Sequence, residues 1–489
     1  MSNAAFDQVP LPRMPTGIAG FDQVLHGGFL RGGLYTIAGS PGAGKTILGS
    51  QICFHHVATG GRAVFMTLLT ESHSRMLAHF GTLTFFDPAP IGSALQFYSG
   101  YSVLASEGLS GLLQLLRRVI KLHSATVLVI DGVNNAEIAT ASPLAFKQFL
   151  HDLHALTEIS GCTTFLLTHA DGDQRPQSEH TTVDGLVALS NQRMSPRTIR
   201  ELEVWKLRGS GYLEGQHFFT ISEAGITVYP RTEIARDSTD FDVSSEAARC
   251  ATGVAQIDGM LHGGLLPGST TMVVGPTGSG KTIFGLHFLA AGARANQRGL
   301  YFGLYESPSD LIAKADKIGL GFSQLVTNAQ IAIQWHPAVE NSLDVLVTNM
   351  LQVIEEQAIE RIFIDAVQGF QFMTVYPERL SRFLVALSNE LRARKITTIL
   401  AGETRDLLAP TLSVPIDGLS GTVDNIILLR QVELRSQLYR LLSILKVRAS
   451  AYDSTIREFQ ITSRGIEVAT TFESADAILT GIARTTAKD

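Results

Sequence analysis

Short apolar runs alternate with longer stretches of helical periodicity along most of the chain, the pattern of a mainly parallel sheet covered by helices. LYTIAGS (34–40) and TTMVVGP (270–276) read as buried strands that run into glycine-rich loops, each followed by a helical segment. TVLVID (126–131) and RIFID (361–365) are further buried strands ending on an acid, and TTFLLTH (163–169) and TTILAGE (397–403) follow them. The predicted class is α/β.

The same order of elements occurs twice. TGIAGFDQVLHGG at 16–28 returns as TGVAQIDGMLHGG at 252–264, and GSPGAGKT at 39–46 returns as GPTGSGKT at 275–282, both displaced by 236 residues. Further along, TVDGLVAL (182–189) returns as TVDNIILL (422–429) and WKLRGSGY (205–212) as LKVRASAY (445–452), displaced by 240. Two motifs and the spacing between them do not recur by chance, and so long a period means duplication of a whole domain rather than a solenoid of short units. The expected organisation is a first domain at 14–230, a polar linker at 231–246, a second domain at 247–470 and a tail at 471–489 that forms a short helix with a frayed end.

Composition narrows the partners. With 489 residues, 45% of them hydrophobic and 17% charged, the chain has ample material for globular cores. A net charge of −6 disfavours nucleic acid as the main partner. Cys53, Cys162 and Cys250 are far apart and show no paired spacing, which fits reduced thiols. The amino-terminal stretch lacks an export-type apolar region and no run is long enough to span a bilayer, so a cytoplasmic protein without membrane attachment is expected.

The glycine loops carry the chemistry. In Gly39-Ser40-Pro41-Gly42-Ala43-Gly44-Lys45-Thr46 and Gly275-Pro276-Thr277-Gly278-Ser279-Gly280-Lys281-Thr282, glycines let backbone N–H groups close around phosphates at a helix N-terminus. Lys45 and Lys281 would contact the β- and γ-phosphates of ATP, and Thr46 and Thr282 would supply hydroxyl ligands to Mg2+. Asp131 and Asp365, at the carboxyl ends of buried strands, are the acids expected beside that metal. Glu71 in TLLTES and Glu306 in GLYESPSDL follow other short apolar runs and could orient or deprotonate an attacking water, or serve equally as dipole partners of a helix. Glu403, ending TTILAGE, is the next acid in the second half.

Taken together, the TG…D…GG segment, P-loop, Glu-Ser after a strand, strand-end acid and K-(L/V)-R segment resemble the KaiC family of RecA-like ATPases, over roughly 14–470. The resemblance implies a two-tiered homohexamer with ATP at subunit interfaces, an autokinase in the second tier, and a KaiB-like partner. It implies nucleotide contacts from Lys206, Leu207, Arg208 and Ser210 in the first domain and Lys446, Val447, Arg448, Ser450 and Arg440 in the second; Arg200 stands at the repeat equivalent of Arg440. Two departures stand out. Thr70-Glu71 and Tyr305-Glu306 replace the family's Glu-Glu pair, and Ser420-Gly421 replaces its phosphorylatable Ser-Thr pair, leaving Ser420 as the one retained acceptor. The expected activity is ATP hydrolysis in a ring serving timing or signal transduction, against a nucleotide-held scaffold with little turnover. A RecA- or DnaB-like DNA motor is a third reading, but the segments after the strand-end acids, GVNNAEIATASP and AVQGFQFMTVYP, contain no lysine or arginine.

Overall fold

The computed structural model describes residues 11–70, 73–140, 142–170, 182–194, 197–234, 248–337, 342–404, 419–434, 437–448 and 450–469. Most of the linker and the whole tail expected at 471–489 lie outside these residues. The chain forms two compact units that divide at Ala235–Arg236.

In the first unit nine strands form one sheet. From edge to edge they are Gly225–Tyr229, Gln216–Ser222, Arg197–Leu207, Gly185–Met194, Leu34–Gly39, Thr163–His169, Val127–Asp131, Ala63–Thr67 and Leu95–Ser99. The last six are parallel, and the first three continue the sheet as antiparallel ribbon. Leu34–Gly39, Ala63–Thr67 and Val127–Asp131 are buried at every residue, as parallel strands with both faces covered must be. One face packs on the helix Lys45–Ala58 through Leu48, Ile52 and an aromatic group of Phe29, Tyr35 and Phe165; the other packs on Tyr101–His123 and Pro143–Ser160 through Leu112, Leu116 and Leu153.

The second unit repeats this sheet strand for strand. Its order is Ile331–Trp335, Gly299–Gly303, Arg361–Ile364, Thr397–Glu403, Thr270–Gly275, Asn425–Leu434, Gln437–Val447, Arg457–Thr462 and Gly465–Val468, with the same split into parallel and antiparallel parts.

The duplicated TG…D…HGG segment is architectural. Asp22 accepts from the Thr16 amide at 2.7 Å and Asp258 from the Thr252 amide at 2.7 Å, and each carboxylate closes a turn ahead of a short helix. TVD is likewise a clamp: Asp184 accepts from the Leu34 amide and Asp424 from the Thr270 amide, each at 2.9 Å, at the entry of the P-loop strand.

Candidate functional site

Each glycine loop leaves the carboxyl end of a central strand and enters a helix, Lys45–Ala58 or Lys281–Arg294. The capping glycines Gly44 and Gly280 have φ of 103° and 101°, and a Cβ on Gly44 would stand 2.8 Å from Ile221. Only glycine turns the chain there while packing against the following ribbon. Lys45 folds its ammonium onto the carbonyls of Gly39 (2.6 Å) and Ser40 (2.9 Å), and Lys281 onto those of Gly275 and Pro276, both at 2.8 Å. Burial pushes both lysines below the ordinary value, offset in part by Asp131 for Lys45 and by Glu403 and Asp365 for Lys281. A desolvated ammonium with two carbonyl partners keeps a third donor for a phosphate oxygen, which fits a nucleotide.

Thr46 donates to Asp131 Oδ2 and Thr282 to Asp365 Oδ2, both at 2.8 Å. Each strand-end acid thus lies against the P-loop hydroxyl of its own domain. Burial drives Asp365 above the usual carboxylate range; hydrogen bonds from Tyr301 and Thr282 and the charge of Lys281 act against that rise, while Glu306 adds to it. A divalent cation would compensate such a carboxylate, and a hydroxyl with one carboxylate is a donor set suited to Mg2+, which takes its remaining ligands from phosphate and water. Among the described residues no cluster of three or more His, Cys, Asp or Glu could hold a metal by itself.

The basic residues separate into two groups. Arg440 pairs across the ribbon with Gln431 and Phe459, the side chains that stand 3.7 Å from a Cβ built on Gly278 and on Gly280. It thus lies at the P-loop edge of its own sheet, with a buried Nε that has no hydrogen-bond partner. Arg200, opposite Asn191 two residues beyond the strand partner of Gly39, is placed the same way, its Nε also buried and unpartnered. Lys206, Leu207 and Arg208 instead lie at the entry edge of the sheet, Leu207 opposite Gly185 and the Arg208 amide bonded to the Asp184 carbonyl. Lys446, Val447 and Arg448 match them, Val447 opposite Asn425 and the Arg448 amide on the Asp424 carbonyl. The length of the P-loop strand, about 17 Å, separates these segments from the glycine loop of their own domain. Lys206 and Lys446 donate to the carbonyls of Val183 (2.5 Å) and Val423 (2.8 Å), and burial is the first cause holding both below the ordinary value. Ser210 and Ser450 are approached by Arg13 (2.6 Å) and Arg249 (3.4 Å).

Glu71 lies outside the described residues. Glu306 is ion-paired: both its oxygens accept from Lys314 Nζ, at 2.6 and 2.5 Å. Thr70 is exposed, and Tyr305, in the place of the family's first glutamate, is 58% exposed. Ser420 sits in the short helix Leu419–Thr422, its side chain outside the described residues. The sequence reading missed Lys314 and also Tyr301, whose hydroxyl donates to Asp365 Oδ2 at 2.8 Å. A tyrosine inside the otherwise apolar GLYFG was the available signal.

Fold and site together define a tandem P-loop ATPase. The family description "ATPase: KaiC" matches residues 14–233 and again 250–473, and the chain belongs to the KaiC ATPase family. It is 26% identical over 491 residues to the circadian clock oscillator protein KaiC of Thermosynechococcus vestitus, covering 96% of this chain and 91% of that protein. The KaiC of Synechococcus elongatus is 25% identical over 492 residues, with 96% and 92% covered. Among the described residues no helix is long and apolar enough to cross a membrane.

Proposed function

We propose that the chain hydrolyses Mg·ATP at both P-loops and that each site is completed by a neighbouring copy in a closed ring, six copies being the family's expectation. Lys45 and Lys281 bind the β- and γ-phosphates; Thr46 with Asp131 and Thr282 with Asp365 would hold Mg2+, which supplies charge neutralisation at the transferring phosphoryl group. Arg200 and Arg440 face nucleotide of their own domain. Glu71 in the first domain and Glu306 in the second are the acids the sequence offers for positioning water.

The observation that carries the shared site is the placement of Lys206 and Arg208, and of Lys446 and Arg448, at the sheet edge away from their own P-loop. Arg208 and Arg448 follow directly on the strands that end at Leu207 and Val447, so a lysine and an arginine two apart can approach one γ-phosphate together. A head-to-tail contact of this kind closes into a ring when its rotation closes, and six subunits is the family's expectation. Within that reading the second domain is also a serine autokinase acting across the interface. Supporting this, Arg448 Nη2 donates to the carbonyl of Gly421 at 2.6 Å, next to Ser420 in sequence. Phosphate there adds about −1.5 to −2 charges, enough to reset an interface that contains Arg448. Timing or signalling, with a KaiB-like partner, is the corresponding biological role.

A scaffold with little turnover is the second reading, and the Lys314 pairing of Glu306 favours it for the second domain. Incubation with γ-labelled ATP separates the readings: free phosphate reports hydrolysis and label on 415–430 reports the autokinase. Lys45→Ala and Lys281→Ala are each expected to remove about half of the bound nucleotide, given similar affinities. Full stoichiometric binding by the double mutant would refute the P-loop assignment.

A further inference from the structure

We infer that Glu403, rather than Glu306, is the general base of the second domain's ATPase; the inference rests on the hydrolytic reading above. Its strand, Thr397–Glu403, lies between the P-loop strand and the strand that leads to Asp365, and Glu403 is the direct parallel partner of Gly275, the first residue of the loop. The side chain is exposed at that carboxyl edge, and its Oε1 accepts from the hydroxyl of Thr277 within the loop. Its charge acts on both Lys281 and Tyr305, so the carboxylate stands within electrostatic reach of the phosphate-binding lysine. Gln368 Nε2 donates to the Glu403 carbonyl at 2.6 Å and fixes the backbone from which the side chain projects.

Glu306 is differently placed. Both its oxygens accept from the Lys314 ammonium, and this ion pair would have to open before either oxygen could engage a water. Thr277 engages one oxygen of Glu403 and leaves the other for a water beside the γ-phosphate. In the step assigned to it, the water oxygen bonds to the γ-phosphorus as the bond from that phosphorus to the β–γ bridging oxygen breaks. The water proton passes to Glu403, and the bond's electron pair stays on the β-phosphate of ADP. Among the described residues the first domain carries His169 at that position, the strand partner of Gly39, its amide bonded to Asn134 Oδ1. The assignment is therefore confined to the second domain.

The test uses the full chain carrying Lys45→Ala, so that the remaining turnover belongs to the second domain, with Mg·ATP as the probe and phosphate release measured beside equilibrium nucleotide binding. Glu403→Gln is expected to lower the turnover rate about 10²–10⁴-fold while binding stays within about threefold, as loss of a general base does. Glu306→Gln is expected to lose less, about tenfold. Thr277→Val, which removes only the hydroxyl that aims the carboxylate, is expected to cost about tenfold in rate with binding retained, and it keeps the question open to measurement if Glu403→Gln fails to fold. Turnover by Glu403→Gln within threefold of its parent, or a loss matched by lost binding, overturns the assignment and leaves the ATPase reading standing. A Lys45→Ala parent that binds ATP and releases no phosphate overturns the second-domain ATPase itself, and the role of Glu403 with it.

Discussion

The two halves agree at the lysine, threonine and aspartate expected to meet phosphate and metal, and differ in the residues behind and beside them. Lys45 and Lys281 fold onto matching carbonyls, and the Thr46–Asp131 and Thr282–Asp365 hydrogen bonds are both 2.8 Å. Behind the acid, the third residue of the neighbouring strand is Phe65 in one half and Tyr301, bonded to Asp365, in the other. At the far end of the strand leading to the acid, the first half begins with Val127 and fills the space with His56, whose Nε2 lies 2.7 Å from Thr126 Oγ1. The second half begins with Arg361, only 2% exposed, which donates to Gln297 Oε1 and the carbonyls of Ala251 and Phe288 and lies over the Phe288 ring. The exchange is coordinated. Gly292 replaces His56 opposite Arg361, where a Cβ would stand 2.5 Å from Arg361 Cδ, and Gln297 replaces Gly61. Duplication preserved the lysine, threonine and aspartate contacts and left each core to be repacked as a set.

The largest effect expected from breaking this comparison lies at the edge where the halves agree. With the first domain silenced by Lys45→Ala, Arg448→Ala should lower second-domain turnover about 10³–10⁵-fold, the range for an arginine supplied across an interface. The corresponding first-domain experiment is Arg208→Ala in a Lys281→Ala background. Mixing the Lys45→Ala, Lys281→Ala chain with the Arg208→Ala, Lys281→Ala chain should restore hydrolysis, and no recovery in verified mixed oligomers would mean that each domain completes its own site.

Next in size is the core exchange. Arg361→Val should destabilise the second domain by about 3 kcal/mol, because two buried carbonyls and Gln297 lose their donor and a cavity opens. Gly292→His alone should be at least as harmful, since the added side chain meets Arg361. Denaturant unfolding of the two single variants and the double should show strong non-additivity in the stabilising direction; additive costs would show that the positions are independent.

Converting the second half toward the first at Tyr301 is milder. Tyr301→Phe removes a hydrogen bond to a carboxylate and should cost about 1.5 kcal/mol without nucleotide, read from the unfolding midpoint. The same change lets Asp365 rise further above the usual carboxylate range, because the Tyr301 hydroxyl is one of the groups opposing the effect of burial. An unchanged midpoint would show that the hydroxyl is equally well satisfied by water.

At neutral pH the smallest effect is in the first half, where it emerges only on acidification. Burial, aided by Arg31 and His55, lowers His56 from 6.5 to about 4. A folded value below the unfolded one means that protons favour the unfolded chain, so the His56 contribution is complete above about pH 6.5 and is lost as the pH falls toward 4. His56→Gln should flatten this part of the stability profile; an unaltered slope would assign the acid sensitivity to other groups.

Much of this architecture is legible in the sequence because both its signals are local. Glycine spacing marks the P-loop, and an apolar run ending in Asp marks an acid beside it, so the contact of Thr46 with Asp131 and that of Thr282 with Asp365 are anticipated without coordinates. Lys206 and Arg208 are legible as a motif but not as a position. Their edge depends on the antiparallel return of Arg197–Leu207 against Gly185–Met194, a long-range pairing that periodicity does not encode. Arg361, Tyr301 and the Lys314–Glu306 pair were missed for a related reason. A polar residue in or near an apolar run does not disclose its partner when the partner comes from a distant segment, and Lys314 is on the following helix, where it reads as an ordinary surface cation.

The separation of the glycine loop from the K-x-R segment has one more consequence. On the shared-site proposal each domain carries a receiving edge and a donating edge about 17 Å apart, and a lone chain would own all the parts of a site and assemble none. An open row of n copies would leave its two end chains with one unmatched half per tier, whereas closure leaves none. Turnover per chain then becomes a count of closed contacts. Below the assembly concentration it should collapse faster than linearly with dilution while nucleotide remains bound, so that the enzyme reports its own state of assembly.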